Sequence, residues 1–228
     1  MRKTIFPWIG REFILLSGEA QAGGSVEEQT NDLFRRYEAA LGQSDLSLED
    51  TVRTRIWGVD KEARVLATMV RARVLTGKRK AASSSYISVS HFDSNARVAL
   101  DLLAMRPSRP GTDRQPVEFD PPRIYISQLR YDSVAFVSGF TSENNRLEDQ
   151  VPEVLSDLDE ALKAASSGWE HIVKMSVYLR RTQSLGVLKN LLGKANKLDL
   201  AKIEFEFVDG FAREKGLLEI EPTALIGG

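Results

Sequence analysis

Displaced by 121 residues, this 228-residue chain falls on itself. Ser17-Gly18 meets Ser138-Gly139, "VEEQ" at 26–29 meets "LEDQ" at 147–150, and "TVRTRIW" at 51–57 meets "IVKMSVY" at 172–178. Leu33, Phe34, Tyr37, Ala40 and Leu41 meet Val154, Leu155, Leu158, Ala161 and Leu162. Near the end the offset becomes 120, and "RVALDLL" meets "LLEIEP", with Ala99 falling on Glu219. Matches in order at one spacing mark a duplicated domain. Each copy must then fold on one plan within roughly 100 residues, the size of a small domain. Between the copies lies "RPSRPGTDRQPVEFDPP", with five prolines and few apolar residues. It reads as a linker, placing a first domain at about 1–105, the linker at 106–120 and a second domain at 121–228.

Each copy can be read locally. Positions 13–17 and 134–138 are short apolar runs of the buried-strand kind. The spacing of Leu33, Phe34, Tyr37, Ala40 and Leu41 is one face of an amphipathic helix. Ser25 and Glu28 suit a capping box, and Pro152 suits the first turn of the second copy's helix. Val52, Thr54 and Ile56 alternate with Arg53, Arg55 and Trp57, as strand residues do. A second helix is expected over 61–75 and 182–195. Two strands should follow in each copy, at 84–90 and 97–104, then at 202–208 and 216–224. The chain is therefore α+β: two tandem ββαβαββ domains, each a mixed sheet with two helices packed on one face.

Composition narrows the function. Hydrophobic residues make up 42% of the chain, enough for two cores, and net charge is only -1. No global basic field favours nucleic acid, and the basic run "TGKRK" at 76–80 reads as a solvated loop. The absence of cysteine excludes disulfides and thiolate chemistry. Two isolated histidines, His91 and His171, offer no metal-ligand spacing. No apolar run reaches a membrane span, and the N-terminal stretch lacks a signal-peptide pattern, so a cytoplasmic protein is expected.

The second copy's "SQLRYDSVAFVSG" at 127–139, "IVKMSVYL" at 172–179 and "LEIEPTA" at 218–224 resemble the Rid/YjgF family, the reactive-intermediate (enamine/imine) deaminases. The first copy matches less closely, with "FILLSGEAQ", "TVRTRIW" and "VALDLLA". The resemblance implies a chorismate-mutase-like fold, trimers and ligand clefts between neighbouring domains. It implies no cofactor and a small acidic metabolite as partner. In that family the first glutamate of the last strand orients water, and an arginine opening the penultimate strand holds the substrate carboxylate. Glu219 matches the glutamate, and Lys202 is nearest to the arginine. The first copy has Ala99 and, near Ala82 or Ser83, no arginine; Arg79 lies just upstream. A lysine is a point charge on a mobile stem, where an arginine grips with a planar fork.

The expected site is therefore built around the second copy. Glu219 and Lys202 are its catalytic candidates, with Ser138, Gly139, Glu204, Glu19 and Arg79 lining it. Glu204 and Glu206 share a strand face with Lys202; they are either a tuned carboxylate cluster or a solvated edge. Glu19 is either a cleft residue or an exposed strand end. Arg53 and Arg55 either line a cleft for an acid or lie on the sheet's outer face. Three functions compete: a Rid-type hydrolase or deaminase of a small carboxylate-bearing imine, enamine or related compound, a chorismatase-like hydrolase, and a non-catalytic small-carboxylate-binding or interaction protein.

Overall fold

The computed structural model describes residues 1–195 and 199–227. The first repeat begins with β1 (Arg2–Trp8) and β2 (Arg11–Glu19), joined as an antiparallel hairpin. Helix α1 (Val26–Gly42) follows, with the expected capping box of Ser25 and Glu28. Then come β3 (Thr51–Gly58), α2 (Lys61–Val74), β4 (Ala82–Ile87) and β5 (Val98–Arg106). The sheet order is β1-β2-β5-β3-β4, with β3 and β4 parallel and the other pairs antiparallel. Gly58 lets α2 start close against β3, because a Cβ there would lie 2.5 Å from the Arg64 backbone nitrogen.

The second repeat follows the same plan with β7 (Gln128–Tyr131), β8 (Val134–Val137), β9 (Phe140–Thr141) and α3 (Leu147–Ala164). It continues with β10 (Ile172–Arg180), α4 (Leu185–Lys194), β11 (Ile203–Val208) and β12 (Leu218–Leu225). Trp57 pairs with Ala99 in β3–β5, and Tyr178 pairs with Glu219 in β10–β12, so the two registers coincide. Both central strands are even kinked at the same place, between Thr51 and Arg53 and between Ile172 and Lys174.

Two expectations change. The linker carries a strand, β6 (Arg114–Val117), which pairs with β7 and extends the second sheet. Its Pro116 is tolerated because β6 ends the sheet, where a missing N–H breaks no further ladder. Helix α3 starts at Leu147, so Pro152 lies inside it rather than in its first turn. Pro152 and Glu148 are both exposed, so water can take the Glu148 carbonyl that the proline leaves free.

Alternation then divides each sheet into two faces. Ile14, Leu16, Ile56, Leu100 and Leu102 face α1 and α2 in one core. Val137, Val177, Ile220 and Ala224 face α3 and α4 in another. The opposite sheet faces meet each other. Phe13, Met105, Leu129, Val134 and Phe136 form one apolar joint, and Trp57, Tyr86, Tyr178 and Phe211 form a second, aromatic one.

Polar groups align the joint. Beyond β8 the chain turns away at Ser138-Gly139 before β9 rejoins β12. Arg53 reaches across from the first repeat and donates to the Val137 and Pro222 carbonyls, at 2.9 and 2.8 Å. The Arg55 Nε donates to Glu221 at 2.9 Å. Glu221 also accepts from Ser84 and, at 2.5 Å, from Tyr86. Arg53 and Arg55 thus lie neither on an outer face nor free in a cleft. Breaking such a buried pair leaves an unpaired charge, typically at a cost of about 3–5 kcal/mol. Glu221→Ala is therefore expected to lose about that much stability in urea unfolding; a loss below about 1 kcal/mol would show that the ion pair does not anchor the joint.

Candidate functional site

At β4 the two repeats are joined through Ser83, Ser138 and Gly139. Ser138 Oγ accepts from the Ser83 backbone N–H at 2.9 Å and donates to the Ile126 carbonyl at 2.7 Å. The Gly139 N–H donates to the Ser83 carbonyl at 3.3 Å. Glu219 on β12 lies directly against Gly139: a Cβ there would stand 1.9 Å from Glu219 Oε1. Glycine is required for that close approach. Glu219 is buried, and its Oε1 has no hydrogen-bond partner.

Two arginines not expected from the sequence complete the site. Arg64 and Arg71 lie on the buried stripe of α2 beside Ala63, Ala67, Thr68 and Val70. They reach over the edge strand β4. Arg71 donates to the Ser84 carbonyl at 2.5 Å, and Arg64 donates to the Ser85 hydroxyl at 3.2 Å. The junction therefore has guanidinium groups although the strand position where the resemblance looks for one holds Ala82 and Ser83. The signal was present as two arginines seven residues apart on the helix's apolar stripe.

Two carboxylates on one strand face have opposite states. Arg55 and Arg53, with hydrogen bonds from Ser84 and Tyr86, hold Glu221 below the ordinary carboxylate range against its burial. Glu219 is pushed up to about 8 by burial and by the Glu221 charge, with Tyr86, Arg71 and Arg64 offsetting part of the effect. At neutral pH Glu219 is thus an acid carrying a proton, and Glu221 is an anion. Environments that drive two carboxyls apart in this way are those of acid and base roles.

The other expected site residues lie elsewhere. Tyr178 is level with Glu219, whereas Met175 is level with Ile203. Lys202 is one position further still, about 13 Å along the strand from Glu219. Its Nζ donates to the Ile172 carbonyl at 2.8 Å. Glu204 is exposed and pairs with Lys174 at 2.7 Å, which is the solvated-edge outcome. Glu206 contacts His91 across the repeats at 3.4 Å, and burial raises its carboxyl to about 7. His91 stacks on Trp57 with ring centroids 3.6 Å apart. Glu19 accepts from the Asp93 and Ser94 backbone N–H groups and ties down a loop of the first repeat. Arg79 pairs with Glu38 at 3.4 Å in a separate surface groove. Of the sequence candidates, the structure brings together Glu219, Ser138 and Gly139.

Two cavities flank this point. One of about 50 Å³ is lined by Arg71, Ser83 and Tyr125, among others. The other, of about 240 Å³, is lined by Gly139, Thr141 and Arg213, among others. The linker forms part of both walls. Among the described residues no His, Asp and Glu group is arranged to hold a metal, and no helix is long and apolar enough to cross a membrane.

The protonation of Glu219 carries a stability signature. The folded protein keeps a proton there up to about pH 8, while an ordinary carboxyl releases it near 4.5. The folded state binds more protons between these values, so stability falls as pH rises through that window. Glu219→Gln mimics the neutral acid and is expected to flatten the fall in melting temperature between about pH 5 and 8. An unchanged slope would mean that Glu219 is ionised throughout.

No protein-family model and no curated protein sequence matches the chain. Among solved structures, a chorismatase superposes with a TM-score of 0.66 at 15% identity, covering 96% of this chain and 78% of that one. A YjgF/YER057c/UK114-family protein from Mycobacterium tuberculosis aligns over 50% of this chain and 100% of its own, at 18% identity and a TM-score of 0.43. A YjgF-family protein from Neisseria meningitidis aligns over 51% of this chain and 97% of its own, at 22% identity and a TM-score of 0.42. The chain shares its fold with the chorismatase.

Proposed function

We propose that the junction cleft hydrolyses a small carboxylate-bearing enamine or imine, with Glu219 as the general acid. The observation that carries this reading is the buried, protonated Glu219 with an unpartnered oxygen, set against Gly139 at the repeat junction. A neutral carboxyl cannot begin as a base, but it can give its proton to the electron-rich carbon of an enamine. The resulting iminium carbon accepts water. The Glu219 carboxylate takes a proton from that water, passes it to the carbinolamine nitrogen, and takes the hydroxyl proton as the C–N bond breaks and the carbonyl forms, so one water is consumed, the amine leaves and the acid is restored. For an imine the same proton goes to nitrogen. The basic cavity beside Arg71 suits the substrate's acid group.

An enol-ether hydrolase of the chorismatase kind is the second reading. The full-length fold likeness supports it. The chemistry is parallel, since an enol ether is also protonated on carbon and an alcohol then leaves. A coupled assay distinguishes the two. An amino-acid oxidase generates 2-imino acids, semicarbazide traps what remains, and chorismate is offered separately.

The protein is expected to speed imine loss. Glu219→Gln should lower kcat by about 10²–10⁴-fold, the usual worth of a positioned acid, with little change in KM. Activity should fall as pH rises through about 8, where Glu219 loses its proton. Turnover of chorismate alone would select the second reading. Full activity in Glu219→Gln would remove Glu219 from the chemistry in either case.

A further inference from the structure

Tyr86 acts on both carboxyls of β12. It lies on β4 of the first repeat and is wholly buried in the aromatic joint. Its ring stacks on Tyr178 of the second repeat with centroids 4.1 Å apart, tilts on Trp57 at 5.0 Å, and meets Phe211 edge-on at 5.9 Å. The next residue, Ile87, is bonded to the second repeat through its backbone. Its N–H donates to the Gly210 carbonyl at 2.9 Å, and its carbonyl accepts from the Asp209 N–H at 2.8 Å. The phenol oxygen is therefore held by both repeats, and only its O–H bond is free to turn.

The hydroxyl donates to Glu221 Oε1 at 2.5 Å. It is also within hydrogen-bonding reach of Glu219, whose carboxyl it lowers against the push of burial. Having one proton, it can serve only one carboxyl fully at a time. Glu221 does not depend on it. The same Oε1 accepts from Ser84, and Oε2 accepts from Arg55 at 2.9 Å, with Arg53 Nη1 3.7 Å away. Arg64 and Arg71, which also act on Glu219, are bonded to the Ser85 hydroxyl and the Ser84 carbonyl. The Tyr86 phenol is raised well above its ordinary range by burial and by the two carboxyls, so it stays a donor whichever of them is charged.

We propose that Tyr86 is a positioning residue for the Glu219 acid: its hydroxyl turns its hydrogen bond from Glu221 to Glu219 when Glu219 gives up its proton, and turns it back when the proton returns. No bond of Tyr86 breaks. The Glu219 proton goes to the substrate, the new carboxylate is met by the Tyr86 O–H, and Glu221 keeps Ser84 and Arg55. Without that exchange, two anions would stand two residues apart on one buried strand face, where like charges disfavour each other. This rests on the general-acid reading above and adds what holds the conjugate base of that acid.

Tyr86→Phe keeps the ring and removes the hydroxyl. Ser84→Ala removes another donor from the same Glu221 oxygen and measures what passes through Glu221 alone. The carboxylic-acid band of Glu219, read by infrared difference against Glu219→Gln in each background, needs no substrate. Its midpoint, at about 8 in the wild type, should rise by about one pH unit in Tyr86→Phe, the tenfold worth of one hydrogen bond to a charged group. It should stay in place in Ser84→Ala. At about pH 6 both Tyr86→Phe and the wild type hold Glu219 protonated, and there kcat on the substrate that the wild type turns over should fall about tenfold in Tyr86→Phe with KM unchanged. A role confined to packing would lower the melting temperature and leave the midpoint alone. If Tyr86→Phe is too unstable to titrate, a ring-fluorinated tyrosine in place of Tyr86 is a stronger donor of nearly the same shape and should move the midpoint down instead. A midpoint in Tyr86→Phe equal to that in Ser84→Ala, a midpoint unmoved by the fluorinated ring, or an unchanged kcat overturns the role of Tyr86 and leaves Glu219 as the acid. Absence of turnover by the wild type overturns the general-acid reading and this role with it.

Discussion

The ion pair between Glu221 and the two arginines of β3 is the interaction on which the rest of the structure depends. It crosses the two repeats, lies between the two sheets, and uses carbonyl groups that the turn at Ser138-Gly139 leaves without ladder partners. Burying such a cluster costs desolvation energy on every charge, so its value is in fixing one alignment of the sheets. That alignment has a consequence two residues along β12. Glu221 takes the nearest cations, and Glu219 on the same face is left with burial and a like charge beside it. The protonated acid is thus a product of how the domains are joined.

The repeat, the order of elements, the helix cap and the position of Glu219 were all legible in the sequence, because each depends on local periodicity or on comparison of the two copies. The counterparts Ala99 and Glu219 occupy matching register positions against Trp57 and Tyr178. What the sequence hid depends on contacts between the copies. Arg53 meets a carbonyl 169 residues away, and nothing in its strand alternation distinguishes that from an exposed position. Along the penultimate strand of the second repeat the nearest cation is Lys202, which is turned to the Ile172 carbonyl. The strand that actually faces Glu219 is β4 of the first repeat, and its cations come from the helix behind it.

The linker was hidden for a different reason. Five prolines suggest chain without structure. Yet proline is compatible with an edge strand, and the segment carries β6 and then Phe119, which packs on Tyr125 at the start of the second repeat. Duplication explains why such a segment became available. The connection between the repeats lines both cavities at the junction of the two copies. The same division of labour leaves the first repeat without a glutamate at Ala99 and gives it the basic helix instead.

Infrared difference spectroscopy of the wild type against Glu219→Gln reads the Glu219 proton at neutral pH without reference to turnover. The expected result is a carboxylic-acid carbonyl band at pH 7 that is absent from the variant and fades with a midpoint at about 8. A carboxylate band at pH 7 that persists on acidification to about pH 5, near the ordinary carboxyl range, would contradict it, and the junction would then hold two anions instead of an acid and an anion.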